Sequence, residues 1–125
     1  MCVGHVFENS SPHRIPTSKW YISWDDFGNL LWPPYITAGT YIVSRQTLLD
    51  LYYGSLFTQF LRFDDVFLGF VAQKAHIHLQ HSPDVYFYKK EYTASGYKNV
   101  IASHGFDNPE ELLNVWVEQK DLSHA

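Results

Sequence analysis

At 125 residues with 46% hydrophobic side chains, the chain holds enough apolar surface for one folded domain or part of one, which excludes intrinsic disorder. A net charge of −4 with nine scattered Lys and Arg offers no basic face for phosphate backbones and excludes nucleic acid as a partner. The single cysteine, Cys2, excludes an internal disulfide.

In chain order, residues 2–7 are expected as a short strand, followed by an extended loop through Pro12 and Pro16. The start of the chain lacks the basic and long apolar stretches of a signal peptide. Asn9-Ser10-Ser11 is a glycosylation sequon, which has meaning only in a secretory chain. Residues 19–24, rich in Trp, Tyr and Ile, predict a strand, and residues 25–29 a turn. Pro33 and Pro34 force residues 32–35 to be extended. The longest uncharged run, residues 27–44, contains both of these prolines and two glycines, so it is no membrane helix of roughly 20 apolar residues. Ala38-Gly39-Thr40 is a small-residue passage where another chain or a ligand can approach closely. Residues 41–43 read as a short buried strand.

Ser44 suits the N-cap of a helix from Arg45, with Leu48, Leu49, Tyr52 and Tyr53 recurring at helical spacing and Gly54 at its end. Residues 55–62 fit helix or loop equally. Asp64 is expected to cap a second helix, with Asp65 in its first turn and Val66, Phe67, Phe70 and Val71 on its apolar face, running to about Ala75. Residues 77–80 and 85–88 read as short strands, residues 89–99 as a polar loop, and residues 100–103 as a strand running into His104-Gly105. Asn108-Pro109-Glu110-Glu111 starts a last helix, with a capping Asn and Pro at the first position, followed by Leu112, Leu113 and Trp116. Helices and strands alternate without internal repeat, which predicts an α/β fold.

Phe63-Asp64-Asp65-Val66-Phe67-Leu68-Gly69 places two carboxylates inside an apolar run. Such a placement either caps a helix or prepares a carboxylate for proton transfer. Capping accounts for Asp64 fully and for Asp65 in part. His76, His78 and His81 form a His-X-His-X-X-His cluster, but no cysteine or helical His completes a tetrahedral zinc set, and exposed strand histidines are the plainer reading. A metal-dependent hydrolase built on that cluster is the weaker enzyme alternative. Asp25-Asp26 falls in a turn, where Asp is favoured for backbone reasons. No glycine-rich phosphate loop or Gly-X-Ser-X-Gly elbow is present.

Four separated pieces together resemble the beta-1,3-galactosyltransferases and their beta-1,3-N-acetylglucosaminyltransferase and Fringe relatives. They are Pro12-His13-Arg14 leading to Ser18-Lys19-Trp20-Tyr21, Pro33-Pro34-Tyr35 through Gly39 and Tyr41 to Ser44, Asp64-Asp65-Val66-Phe67-Leu68-Gly69, and Val100 to Gly105 followed by Pro109-Glu110-Glu111-Leu112 and Trp116. The resemblance implies the C-terminal part of a GT-A type nucleotide-sugar glycosyltransferase domain. It also implies a manganese ion held by an Asp-X-Asp motif, and no such motif occurs in these residues. The donor half, that motif and a membrane anchor are expected outside them. Two departures stand out: Ala38-Gly39-Thr40 replaces a glycine-rich run, and Phe70-Val71-Ala72 stands where the family tends to carry a cysteine.

By position, Asp65 resembles the family's catalytic base, with Asp64 in the place of a Glu. His104 resembles a C-terminal His that supports the metal, against the plain reading of a loop histidine bonded to backbone. Trp20, Tyr35, Gly39 and Tyr41 resemble acceptor-side residues, against the plain reading of core aromatics. The implied activity is inverting transfer of galactose or N-acetylhexosamine from a UDP-sugar to a glycan acceptor, in the Golgi lumen. The rival reading is a non-catalytic glycan-binding or remnant domain without a donor site.

Overall fold

The structure, a computed structural model, describes residues 1–124, the side chains of Ala38 and His124 excepted. Its elements run β1 (Cys2–Phe7), β2 (Tyr35–Val43), α1 (Arg45–Ser55), α2 (Asp64–Lys74), β3 (Leu79–His81), β4 (Val85–Tyr86), β5 (Ala102–Ser103) and α3 (Pro109–His124). The mixture of helices and strands agrees with the α/β expectation. They divide into two compact units, Met1–Ser82 and the residues from Pro83 onward.

The first unit is organised on β1, whose Cys2 and Gly4 are buried while Val3 and His5 are half-buried, the period-2 pattern of a strand with one covered face. β2 pairs with it antiparallel and β3 parallel, giving the order β2-β1-β3. β2 is longer than the short strand expected over residues 41–43, because the extended Pro-Pro-Tyr segment feeds directly into it. Between Gly4↔Tyr41 and Val6↔Ile36 the register slips, and residues 37–40 bulge out of the ladder. Glycine at position 4 permits this crossing: a Cβ there would fall 2.4 Å from Ile36 Cγ2 and 3.0 Å from the Thr40 carbonyl oxygen.

Ser44 caps α1 as expected, with extended backbone and its Oγ accepting the Thr47 N–H. The Met1 ammonium donates to Ser44 Oγ at 3.1 Å and to Thr47 Oγ1 at 2.7 Å, tying the starts of β1 and α1 together. The buried face of the helix is another one than the apolar spacing suggests. Thr47 and Leu51 are buried, whereas Leu48, Leu49, Tyr52 and Tyr53 are exposed. Gly54 supplies the reason, since it shares the face of Thr47 and Leu51 and lies against α2, where a Cβ would come 2.9 Å from Val71 Cγ1. Close approach at a small residue outweighs the stronger apolar stripe.

α2 is covered on two sides, which explains why it is almost wholly apolar after Asp65. On one side Leu51, Val71 and Ala72 form a core with Val43, Phe67, Ile77 and Leu79 around it. On the other, Ile22, Trp32 and Val66 form a second core with Phe27, Tyr35, Leu61, Phe63 and Phe70. Phe27 stacks on Trp32 at 4.3 Å between ring centroids.

The strand expected over residues 19–24 does not form; the segment is turns, joined to its surroundings by an isolated bridge between His13 and Tyr21. A long-range grip replaces the ladder. The Arg14 guanidinium donates to the carbonyls of Ile22 (3.0 Å), Ser23 (2.8 Å), Phe27 (2.7 Å) and Asn29 (2.9 Å), and it lies 3.9 Å from the centre of the Trp24 ring. The carbonyls of the adjacent residues Ile22 and Ser23 turn to the same cation, whereas consecutive carbonyls of a strand point to opposite sides.

In the second unit, β4 and β5 pair in parallel and are each shorter than the sequence suggests. Tyr97 is buried and donates its hydroxyl to the Lys90 carbonyl at 2.7 Å. Asn108 caps α3 as expected, its Oδ1 accepting from Glu110 N at 2.9 Å and Glu111 N at 3.4 Å. Among the described side chains of that helix Val115 is buried, and Leu112, Leu113 and Trp116 are exposed.

Candidate active site

The two carboxylates of the apolar run open α2, though with roles other than those expected. The helix begins at Asp64 itself, and the cap position belongs to Phe63, which is extended (φ −92°, ψ 104°) and makes no side-chain capping bond. Asp64 is therefore exposed in the first turn and is not the cap. The carboxylate that does meet a first-turn amide is Asp65, whose Oδ1 accepts the Val66 N–H at 2.8 Å. Proline-free, acidic and apolar at once, the segment favours this start because negative charge there opposes the positive end of the helix dipole.

Asp65 is half-buried, and its neighbour Val66 is one of the three buried residues of the Trp32 core. The carboxylate is thus held at the helix start, beside the apolar Trp32 cluster. Those are the conditions under which a carboxylate serves as a general base toward a hydroxyl.

Gly69 joins this helix to β2. A Cβ at that position would stand 2.8 Å from the Pro34 carbonyl oxygen and 2.8 Å from Tyr35 Cβ. Tyr35 is in this way pressed against the helix that carries Asp65, and it shares the Trp32 core. Gly39 is exposed within the β2 bulge. Tyr41 stands near the far end of the strand, lining with Cys2, Leu51, Leu68 and Ala72 a crevice of about 20 Å³, room for a single water rather than a sugar. Burial pushes the Cys2 thiol above the usual range, against the smaller opposing pull of the N-terminal ammonium. Trp20 is exposed, edge-on to His13 at 5.6 Å, with Lys19 Nζ 5.6 Å from its ring centre.

His104 belongs to the second unit. It is exposed at the end of β5, donates its N–H to the Tyr86 carbonyl at 3.1 Å, and precedes Gly105, whose φ of +88° favours glycine. Of the remaining histidines, His76 sits in the turn after α2 with φ 54° rather than in a strand, and His78 is exposed. His81 accepts the Val6 N–H on Nδ1 at 3.2 Å and meets the His5 ring edge-on at 4.8 Å. Among the described residues no three His, Cys, Asp or Glu side chains converge, so a manganese ion finds no complete ligand set in them. No helix of the described residues is long and apolar enough to cross a membrane.

Two residues to which the sequence gives no role beyond their place in the family resemblance shape this region. Gly69 carries a signal, a glycine in the interior of a helical pattern, which points to a close packing partner. Arg14 carries none, because its four acceptors are backbone carbonyls and leave no trace in side-chain pattern.

A family model described as galactosyltransferase matches residues 1–83. The match spans the whole first unit, with Asp65, Tyr35 and Arg14 in it. Among relatives, the chain is 46% identical to beta-1,3-galactosyltransferase brn of Drosophila melanogaster, over 98% of this chain and 38% of the relative. It is 31% identical to beta-1,3-galactosyltransferase 1 of Mus musculus, over 97% of this chain and 36% of the relative. It is 30% identical to lactosylceramide 1,3-N-acetyl-beta-D-glucosaminyltransferase of Rattus norvegicus, over 95% of this chain and 32% of the relative. The chain spans less than two fifths of the length of each.

Proposed function

The chain belongs to the galactosyltransferase family, and from that premise we propose that the protein it forms part of is an inverting beta-1,3-hexosyltransferase. The reading has it move galactose or N-acetylhexosamine from a UDP-sugar to a glycan acceptor. These residues are proposed as the C-terminal portion of a GT-A type domain in the Golgi lumen, with the donor half and the membrane anchor in the rest of the protein. Manganese belongs to the proposal as an ion held mainly by side chains other than these, with His104 as its supporting ligand from this chain. The exposed Leu48, Leu49, Tyr52 and Tyr53 support the partial-domain reading, since so broad an apolar face is uncommon on a free surface.

The observation that carries the function is the seat of Asp65, half-buried at the start of α2 and fixed by the Val66 amide. In the proposed step an acceptor hydroxyl oxygen attacks the anomeric carbon of the donor. Its proton passes to the Asp65 carboxylate, a new C–O bond forms, and the bond from the anomeric carbon to UDP breaks, its electron pair leaving with the diphosphate. Asp64, exposed beside the base, and Tyr35, packed on the same helix, flank the acceptor, with Trp20, Gly39 and Tyr41 assigned to the wider acceptor side.

The test is Asp65→Asn in the full-length protein. Loss of a general base predicts a kcat lower by about 10²–10⁴-fold, with UDP-sugar binding retained. Near-normal turnover would remove Asp65 from the mechanism. A wild-type protein that binds glycan and transfers nothing from any UDP-sugar would favour the non-catalytic rival.

A further inference from the structure

Beside the start of α2 lies a groove of about 420 Å³ lined by Tyr21, Ile22, Ser23, Asp25, Asp26, Gln59, Phe60, Leu61 and Arg62. It lies between residues 21–26, which overlap the stretch expected as a strand, and the connection from α1 to α2. Its size is within the range of small-ligand sites. Two features tie it to the base: Ile22 and Leu61, from opposite walls, belong to the same core as Val66, the residue after Asp65. Arg62 fixes the walls to each other by donating to the Tyr21 carbonyl.

The lining has the chemistry of a sugar site. Phe60 is 80% exposed, a ring that no core claims, and it rests on Phe67 with centroids 6.1 Å apart. Such a ring is a platform for the apolar face of a pyranose. Around it stand Asp25 and Gln59, acceptors and donors suited to paired hydroxyls, and Asp26, whose Oδ2 accepts the Ser23 hydroxyl at 2.7 Å. Two carboxylates against the one guanidinium of Arg62 leave the lining with a formal charge of −1, which selects against acidic ligands.

We propose that this groove binds a neutral sugar residue of the acceptor, the one next to the sugar whose hydroxyl faces Asp65, and that it rejects an acidic residue there. The inference rests on the transferase reading and adds the class of acceptor it takes. Phe60 stacks on the sugar, and Asp25 holds its hydroxyls and repels carboxylates.

The experiment uses the full-length protein with a neutral monosaccharide acceptor, a neutral disaccharide and a disaccharide whose second residue is a uronate. The expected wild-type preference is for the neutral disaccharide. Phe60→Ala is expected to raise KM for that disaccharide about 5–10-fold, the worth of one stacking contact, with kcat and the monosaccharide KM unchanged. Asp25→Asn is expected to raise the same KM and to narrow the gap between neutral and uronate acceptors. Equal changes for monosaccharide and disaccharide, or no change for either, would overturn the subsite while leaving the transferase reading intact. If the wild-type protein transfers to none of the three from any UDP-sugar, the transferase reading fails and the subsite fails with it.

Discussion

Replacing Gly69 by alanine tests whether the seating of α2 on β2 governs both stability and the placement of the proposed base, Asp65. The new Cβ would meet the Pro34 carbonyl oxygen and Tyr35 Cβ, each at 2.8 Å. Ordinary carbon contacts lie at about 3.5–4.0 Å, so the helix must retreat by roughly 0.7–1.2 Å. Neither obstacle is the far end of a flexible side chain that could swing away. Overpacking of this kind costs about 2–3 kcal/mol, and the better helix propensity of alanine returns about 1 kcal/mol. The expected net loss is about 1–2 kcal/mol by denaturant unfolding. Asp65 rides on the same helix one turn earlier, and displacements near 1 Å at a reacting centre cost on the order of 10²-fold in rate. Transfer kinetics on the full-length variant should therefore fall by about 10–100-fold, and Gly69→Val should lose more on both measures. A Gly69→Ala protein as stable as wild type with undiminished turnover would show that the helix does not depend on this contact.

Other changes probe separate parts of the molecule. Arg14→Ala strips four carbonyls of a charged partner and is expected to cost about 2–3 kcal/mol, with limited proteolysis newly cutting within residues 15–31. Arg14→Lys should recover little, because an ammonium cannot span four acceptors in a plane. Val71→Ala opens a hole at a residue with no exposed surface and should cost about 2 kcal/mol in unfolding measurements. The Cys2 thiol, raised by burial, should resist alkylation at pH 8 in the native state and react at the ordinary rate once unfolded. The sign of its linkage follows: burial favours the neutral thiol, so its contribution to stability is complete below the unfolded thiol pKa of about 8.5 and is lost as pH rises through the higher folded value. Asn108→Ala should weaken α3 by about 1 kcal/mol, read from amide exchange in its first turn.

What could be read from the sequence was what local chemistry decides. Ser44 and Asn108 announce their helices because a short polar side chain meets backbone amides two or three residues on, and the distant Met1 ammonium adds to the Ser44 cap without displacing it. The apolar residues after Asp65 foretell a buried helix whichever way it turns. The errors came where a distant partner decides. Leu48, Leu49, Tyr52 and Tyr53 make the stronger stripe on α1, yet Gly54 sets the contact because only that face can come close to Val71. Residues 19–24 have the composition of a strand, but the Arg14 guanidinium takes the carbonyls of Ile22 and Ser23. The surroundings of Asp65 in the chain left cap and base both open, and only the family resemblance favoured the base. The expectation for Asp64 failed by a single helical position, and the groove at Phe60 was invisible because its two walls are far apart in sequence.

The Arg14 grip has a consequence for how this segment can vary. A packed core specifies side chains, so a segment built that way can change little without losing its shape. Arg14 holds carbonyl oxygens, which every amino acid possesses. The groove wall can therefore exchange the exposed side chain of Asp25 while the guanidinium, the Ile22 core contact and the Ser23–Asp26 hydrogen bond preserve its course. The proposed sugar subsite can be retuned at that position by point substitution, with no rebuilding of the domain beneath it.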